Sequence, residues 1–202
     1  MAAIEVVTSR PEDRPTFYYD FVSPEAYLAC ERIVEALGAV PVFEPVLLSQ
    51  LPSSGAVDAF RCAEEREIYR ADVERRAAER GLQPLRWPAD WPGDTEAAMR
   101  VASWARQIGK VVAFSLAAFR QAFAGGRDLA ETETILIAAA ACEMHPNAVL
   151  KTLERESVAE ELLASTAAAA ALGVRSVPAV RVGNSIFEGD ASLEEAAREL
   201  HA

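Results

Sequence analysis

The sequence predicts an α/β fold in which two small halves, one at each end of the chain, share a sheet while a run of helices lies between them. Three observations predict it. A short aromatic run, residues 16–22 (TFYYDFV), leads into a Ser-Pro helix start and then a second apolar segment. Residues 59–172 carry one helical pattern after another, punctuated by glycine and proline. Residues 173–202 return to two short apolar runs split by Gly183-Asn184 and followed by a last amphipathic stretch.

Residues 1–15 hold two prolines and read as a loose arm. The run 16–22 is short enough for a buried strand and stops at Ser23-Pro24, where serine is a good N-cap and proline suits the first helical turn. Tyr27, Ala29, Cys30, Ile33, Val34 and Leu37 then recur at helical spacing, and Gly38 closes the stripe. Residues 41–47 (PVFEPVL) read as a second strand, which Pro45 pushes toward a sheet edge. Helices are expected over 59–80, from 94–95 to about 108, and over 110–123, 129–142, 147–154 and 157–172. Pro84, Pro88 and Pro92 mark a loop carrying Trp87 and Trp91. Strands are expected over 179–182 and 185–188, with a closing helix over 192–201. The order is βαβ, many helices, then ββα, which is how thioredoxin-like domains are built. The expected organisation is one domain over 1–202, with a core of 16–50 and 173–202 and a helical insertion over 51–172.

Of the 202 residues, 51% are hydrophobic and 25% charged, enough apolar surface for a buried core. The net charge of -11 repels a phosphate backbone and an anionic membrane surface, so neither nucleic acid nor membrane is an expected partner. Cys30, Cys62 and Cys142 are an odd, scattered set with no C-x-x-C pair, which suits a reducing compartment. No basic patch precedes an apolar stretch at the start, so no signal peptide is expected and the expected location is cytoplasmic. The two histidines, His145 and His201, stand in separate contexts and point to no metal site.

Two constellations carry possible chemistry. In the first, Asp20 to Ala29 (DFVSPEAYLA), a strand feeds a helix at Ser23. A helix start presents unpaired N–H groups and a positive dipole end, a setting that favours a thiolate, and the Ser23 hydroxyl has a hydrogen bond to give one. The same residues also read as a plain helix cap. In the second, Ser176-Val177-Pro178-Ala179, a proline leads a strand. A cis bond there would leave the Val177 main chain open to pair with a peptide-like ligand; an ordinary trans proline is the alternative.

Taken together, D-F-V-S-P-E-A-Y-L-A near the start and G-V-R-S-V-P near the end resemble the DsbA-like branch of the thioredoxin superfamily. Within it the chain is most similar to 2-hydroxychromene-2-carboxylate isomerases and kappa-class glutathione transferases, from about residue 16 to the C-terminus. Arg66, Tyr69, Asp72, Arg76 and Gly81 follow the family's K-x-x-Y-x-x-D-x-x-x-R-x-x-x-x-G rhythm, with arginine in place of lysine. The resemblance implies that Ser23 stabilises the thiolate of bound glutathione, or another low-molecular-weight thiol, and that Val177 and Pro178 hold the cofactor's peptide backbone. It further implies that Asp190 grips the cofactor's amine, that Arg66 meets an anionic group of cofactor or substrate, and that the protein is a homodimer.

The implied activity is a thiol-dependent isomerase or transferase of small, hydrophobic electrophiles. Oxidoreductases of this branch begin the helix with C-P-x-C, whereas this chain reads Ser23-Pro24-Glu25-Ala26. Both exchanging sulfurs are absent, which disfavours disulfide exchange. Cys30 and Cys142 fall on apolar stripes and read as core residues, while Cys62 stands beside charges. The family's closing F-W-G-x-D-R-L is here Phe187-Glu188-Gly189-Asp190-Ala191-Ser192-Leu193, with the aspartate one place early. That departure supports the rival reading of a binding protein that kept the fold and lost the chemistry.

Overall fold

The computed structural model describes residues 14–53, 60 and 62–202. The arm expected over 1–15 falls almost wholly outside them. Strand β1 (Thr16–Tyr19) leads to helix α1 (Pro24–Leu37) and strand β2 (Val42–Pro45). Six helices follow: α2 (Ala63–Glu79), α3 (Glu96–Gln107), α4 (Val111–Phe123), α5 (Thr132–Ala140), α6 (Pro146–Leu153) and α7 (Glu156–Ala171). Strands β3 (Ala179–Val182) and β4 (Ser185–Glu188), one 3₁₀ turn (Asp190–Ser192) and helix α8 (Leu193–Leu200) close the chain.

The four strands form one mixed sheet in the order β2-β1-β3-β4, with β1 parallel to β2 and antiparallel to β3. This is the thioredoxin-like arrangement that the element order predicts, with the helices α2 to α7 inserted between its halves. Pro45 lies on an edge strand, where its missing N–H costs no ladder bond.

Alternation along β1 divides the interior in two. Phe17 and Tyr19 face one side, packing with Phe21, Phe43, Phe119 and the apolar stripe of α1. Tyr18 faces the other, with Val46, Leu48, Ala169 of α7, Val174, Val177 and Ala179. All four residues of β1 are therefore buried, as expected of a central strand covered on both faces.

Several elements are shorter than their apolar patterns. The run 16–22 stops being strand at Tyr19, because the Asp20 carboxylate accepts the Val22 N–H and the Asp20 carbonyl accepts the Ser23 N–H, turning the chain. The helix expected from residue 59 begins at Ala63; residues 54–59 and 61 lie outside the described ones. The helix expected from 129 begins at Thr132, since the Asp128 carboxylate first takes the Ala130 N–H in a turn of its own. Cys30 and Cys142 are buried and Cys62 is exposed, in keeping with their sequence surroundings.

Candidate active site at the head of helix α1

The end of β1 and the start of β3 meet at one end of the sheet. Tyr18 pairs with Ala179 in the antiparallel ladder, so the chain leaving β1 toward Ser23 runs beside the chain entering β3 through Pro178. Val22 and Val177 belong to one apolar cluster. The Val177–Pro178 peptide is cis, the rarer of the two conformations considered for it.

Ser23 has the extended backbone of an N-cap and is buried. Its Oγ accepts the Ala26 N–H at 3.1 Å, and among the described residues nothing accepts its own hydroxyl proton. Pro24 has no N–H, the Tyr27 N–H reaches the Ser23 carbonyl, and the Glu25 N–H has no partner among the described residues. Two donors, one hydroxyl and one amide, thus remain at the positive end of a 14-residue helix. Serine here is both the helix cap and a hydroxyl with a proton to give.

Asp20 fixes the loop that presents them. One carboxylate oxygen takes the Val22 N–H at 3.1 Å and the Thr95 hydroxyl at 2.7 Å; the other takes the Leu48 N–H at 2.9 Å. Burial raises its pKa above the ordinary aspartate value, against the opposing pull of those three bonds. Trp91 completes the loop: its indole N–H donates to the Val22 carbonyl at 2.9 Å. The Val22–Ser23 peptide is therefore held at its oxygen by Trp91 and at its nitrogen by Asp20. Trp91 lies parallel to Tyr69 at 5.8 Å, with Phe60 and Trp87 against it and the Arg70 guanidinium over both indoles.

Next to the helix start lies a charged cluster. Arg76 of α2 bonds Glu25 at 2.9 Å, Asp190 at 2.6 Å and Asp72 at 3.0 Å. Arg80 takes the second oxygen of Asp190. Asp190 is thus placed close to the head of α1, buried, with each carboxylate oxygen already engaged by a guanidinium. Arg66 stands apart. It is ten residues before Arg76 on α2, about 15 Å along the axis, and lines a separate cavity of about 330 Å³ with Phe60, Cys62, Ala63 and Pro92. Its Nε is buried with no hydrogen-bond partner among the described residues.

Ser23, Val177, Pro178 and Asp190 are therefore gathered at one end of the sheet, while Arg66 lines a neighbouring cavity that shares Pro92 with the one beside Asp20 and Val22. Sequence reasoning missed Thr95, Arg80 and Glu188 as parts of this end, and it read Trp91 as a packed loop residue or a pocket wall, not as the donor to the Val22 carbonyl. The contacts that enlist them join residues 13 to 110 positions apart and leave no local pattern. Arg76 is the exception, since it stands in the motif rhythm carried by α2. Cys30, nearly two turns beyond the helix start, is buried, and burial pushes its thiol well above the ordinary range.

Fold and site together define a thioredoxin-like domain with a serine at the head of its first helix. A family model described as the DSBA-like thioredoxin domain matches residues 16–201, so the chain belongs to the DSBA-like thioredoxin family. A search of curated protein sequences finds no match. Among solved structures, a 2-hydroxychromene-2-carboxylate isomerase superposes with a TM-score of 0.80 at 18% identity, over 93% of this chain and 94% of the other. A protein named as a probable DsbA oxidoreductase from Streptomyces coelicolor follows at 0.74 and 21%, over 93% and 89%. At such identities the likeness is one of fold. No helix among the described residues is long and apolar enough to cross a membrane.

Proposed function

We propose that the protein is a thiol-dependent isomerase or transferase of small hydrophobic electrophiles, with glutathione or another low-molecular-weight thiol as cofactor. The observation that carries this reading is the pair of unspent donors at the head of α1, the Ser23 hydroxyl and the Glu25 N–H. Both would stabilise a thiolate over a thiol. Beside them, the Val177 N–H and C=O form no hydrogen bond among the described residues, which suits a cofactor lying along that chain as an added strand.

In the isomerase form of the reaction the thiolate adds to the β-carbon of a conjugated carbonyl compound, and the alkene's electron pair moves onto the carbonyl oxygen as an enolate. The former double bond rotates. Collapse of the enolate restores the alkene in the other geometry and expels the thiolate, so no oxidant or reductant is consumed. The protein's share is to lower the thiol pKa and to steady the negative charge. An amine of a glutathione-type cofactor reaching Asp190 would share that carboxylate with Arg76 and Arg80. Arg66, with a buried Nε lacking a partner, is the cation in reach of an anionic group entering the neighbouring cavity.

The test is titration of the wild type with glutathione and other cellular thiols, followed by thiol-dependent turnover of a conjugated alkene by Ser23→Ala. The expected loss is on the order of 100-fold, the usual effect of removing one donor to a developing anion, with the kinetic pKa of the bound thiol raised. Full activity in the variant overturns the role of Ser23. Catalysed reduction of insulin by the wild type would revive disulfide exchange, which the buried Cys30 and the serine at position 23 argue against.

A further inference from the structure

Glu188 is the last residue of β4, opposite Ala179 in the β3–β4 ladder, and its side chain turns back over the chain that enters β3. One oxygen of its carboxylate accepts the Arg175 N–H at 2.6 Å and the Ser176 N–H at 3.1 Å. These two consecutive amides form a small anion-binding concavity immediately before Val177. On the far side of Pro178, the Gly189 N–H donates to the Pro178 carbonyl at 2.8 Å, and the Ser53 N–H donates to the Arg175 carbonyl at 2.9 Å. The Arg175 and Ser176 N–H groups and the Arg175 and Pro178 carbonyls are therefore tied down, while the Ser176 carbonyl and both main-chain groups of Val177 have no partner among the described residues.

We infer that Glu188 is a positioning residue, which holds the Arg175–Ser176 amides so that the Val177 N–H and C=O keep the direction a bound thiol needs. The inference rests on the reading of the site as a thiol site. The two bonds are charge-assisted and so stronger than amide–amide bonds, and they act on the two peptides that lead into Val177. Glu188 is exposed and belongs to no apolar cluster, so its removal leaves the core untouched.

The experiment compares wild type, Glu188→Ala and Glu188→Gln, with glutathione and other small thiols as probes and with amide hydrogen exchange at Arg175 and Ser176. The alanine variant is expected to bind the thiol about tenfold more weakly and to lose protection at those two amides, as for loss of charged hydrogen bonds. Its kcat and the kinetic pKa of the bound thiol, which Ser23 sets, are expected to stay at the wild-type values. The glutamine variant keeps an acceptor of the same shape and is expected to recover most of the affinity. Wild-type affinity in Glu188→Ala overturns the inference, whether or not the amides lose protection. A shift of kcat and thiol pKa together with affinity overturns it too, since that is what general loosening of the site would do. A wild type that binds none of the thiols overturns the reading of function instead, and the two failures are told apart by the wild-type titration.

Discussion

The two walls of the site do related work by opposite means. The wall at residues 20–25 is fixed from inside the molecule: Asp20, Ser23 and Trp91 are each 3% exposed, and the side-chain bonds that shape the loop are buried or partly buried. The wall at residues 175–178 is fixed from outside, by an exposed carboxylate and main-chain bonds. The first wall presents donors at a helix terminus, which on the proposed function stabilise a thiolate; the second presents main-chain groups along which the proposed cofactor would align. Charge stabilisation gains from a dry, preorganised setting because dipoles held in place need no reorganisation. On the proposed function, alignment of a cofactor that must come and go is met by bonds exposed to water.

Cutting the strap between the walls should have the largest effect. Asp190 follows Gly189, whose N–H bonds the second wall at the Pro178 carbonyl, and through Arg76 it is tied to Glu25 on the first. Replacing it with alanine leaves Arg76 and Arg80 side by side with their shared counter-charge gone. A loss of about 3 kcal/mol in unfolding free energy is expected, as for breaking a buried pair by removing one partner, measured by urea unfolding at pH 7. A loss below about 1 kcal/mol would mean the cluster behaves as a surface network and that the walls are held independently.

Trp91→Phe tests the buried wall more gently. The ring is kept, so the stack with Tyr69 persists, but the Val22 carbonyl loses its donor. A buried acceptor left unpaired costs about 1–2 kcal/mol. The Ser23 loop should loosen with it, and the kinetic pKa of a bound thiol should rise while its affinity, set from the other wall, changes little. Equal effects on both readouts would show that the walls are coupled.

The sequence and the structure agree best where the signal is local. The Ser23 cap with Pro24, the αL Gly38, the edge strand with Pro45 and the two short strands around Gly183 all depend on residues within a turn or two of one another, and each is found close to where its residues point. The ends of elements agree less well where a side chain competes with the backbone ladder, as at Asp20 and Asp128. The organisation of the site agrees least, because it is made by pairs distant in the chain: Trp91 with Val22, Thr95 with Asp20, Arg80 with Asp190. No periodicity marks a tryptophan in a proline-rich loop as the donor to a particular carbonyl. Arg76 could be singled out only because it falls in a motif rhythm, and even there its partners Glu25 and Asp190 were not legible.

The smallest expected effect is a slope, and it reports on how the buried wall is balanced. Asp20 is pulled two ways, upward by burial and downward by three donors, and burial prevails, so its carboxyl titrates above the ordinary 3.8. Between that value and its folded pKa the native protein keeps a proton that the unfolded chain has released. Stability from this group is then fully present at the acid end of the window and is lost as pH rises through the folded pKa. Asp20→Asn carries no such proton. Its cost, an amide group facing the Leu48 N–H in place of an acceptor, is the same at every pH. The wild type's advantage over the variant, measured by urea unfolding at intervals from pH 4 to pH 8, should therefore be greatest at the acid end and shrink upward. An advantage that grows with pH would show that the bonds from Val22, Leu48 and Thr95 outweigh burial.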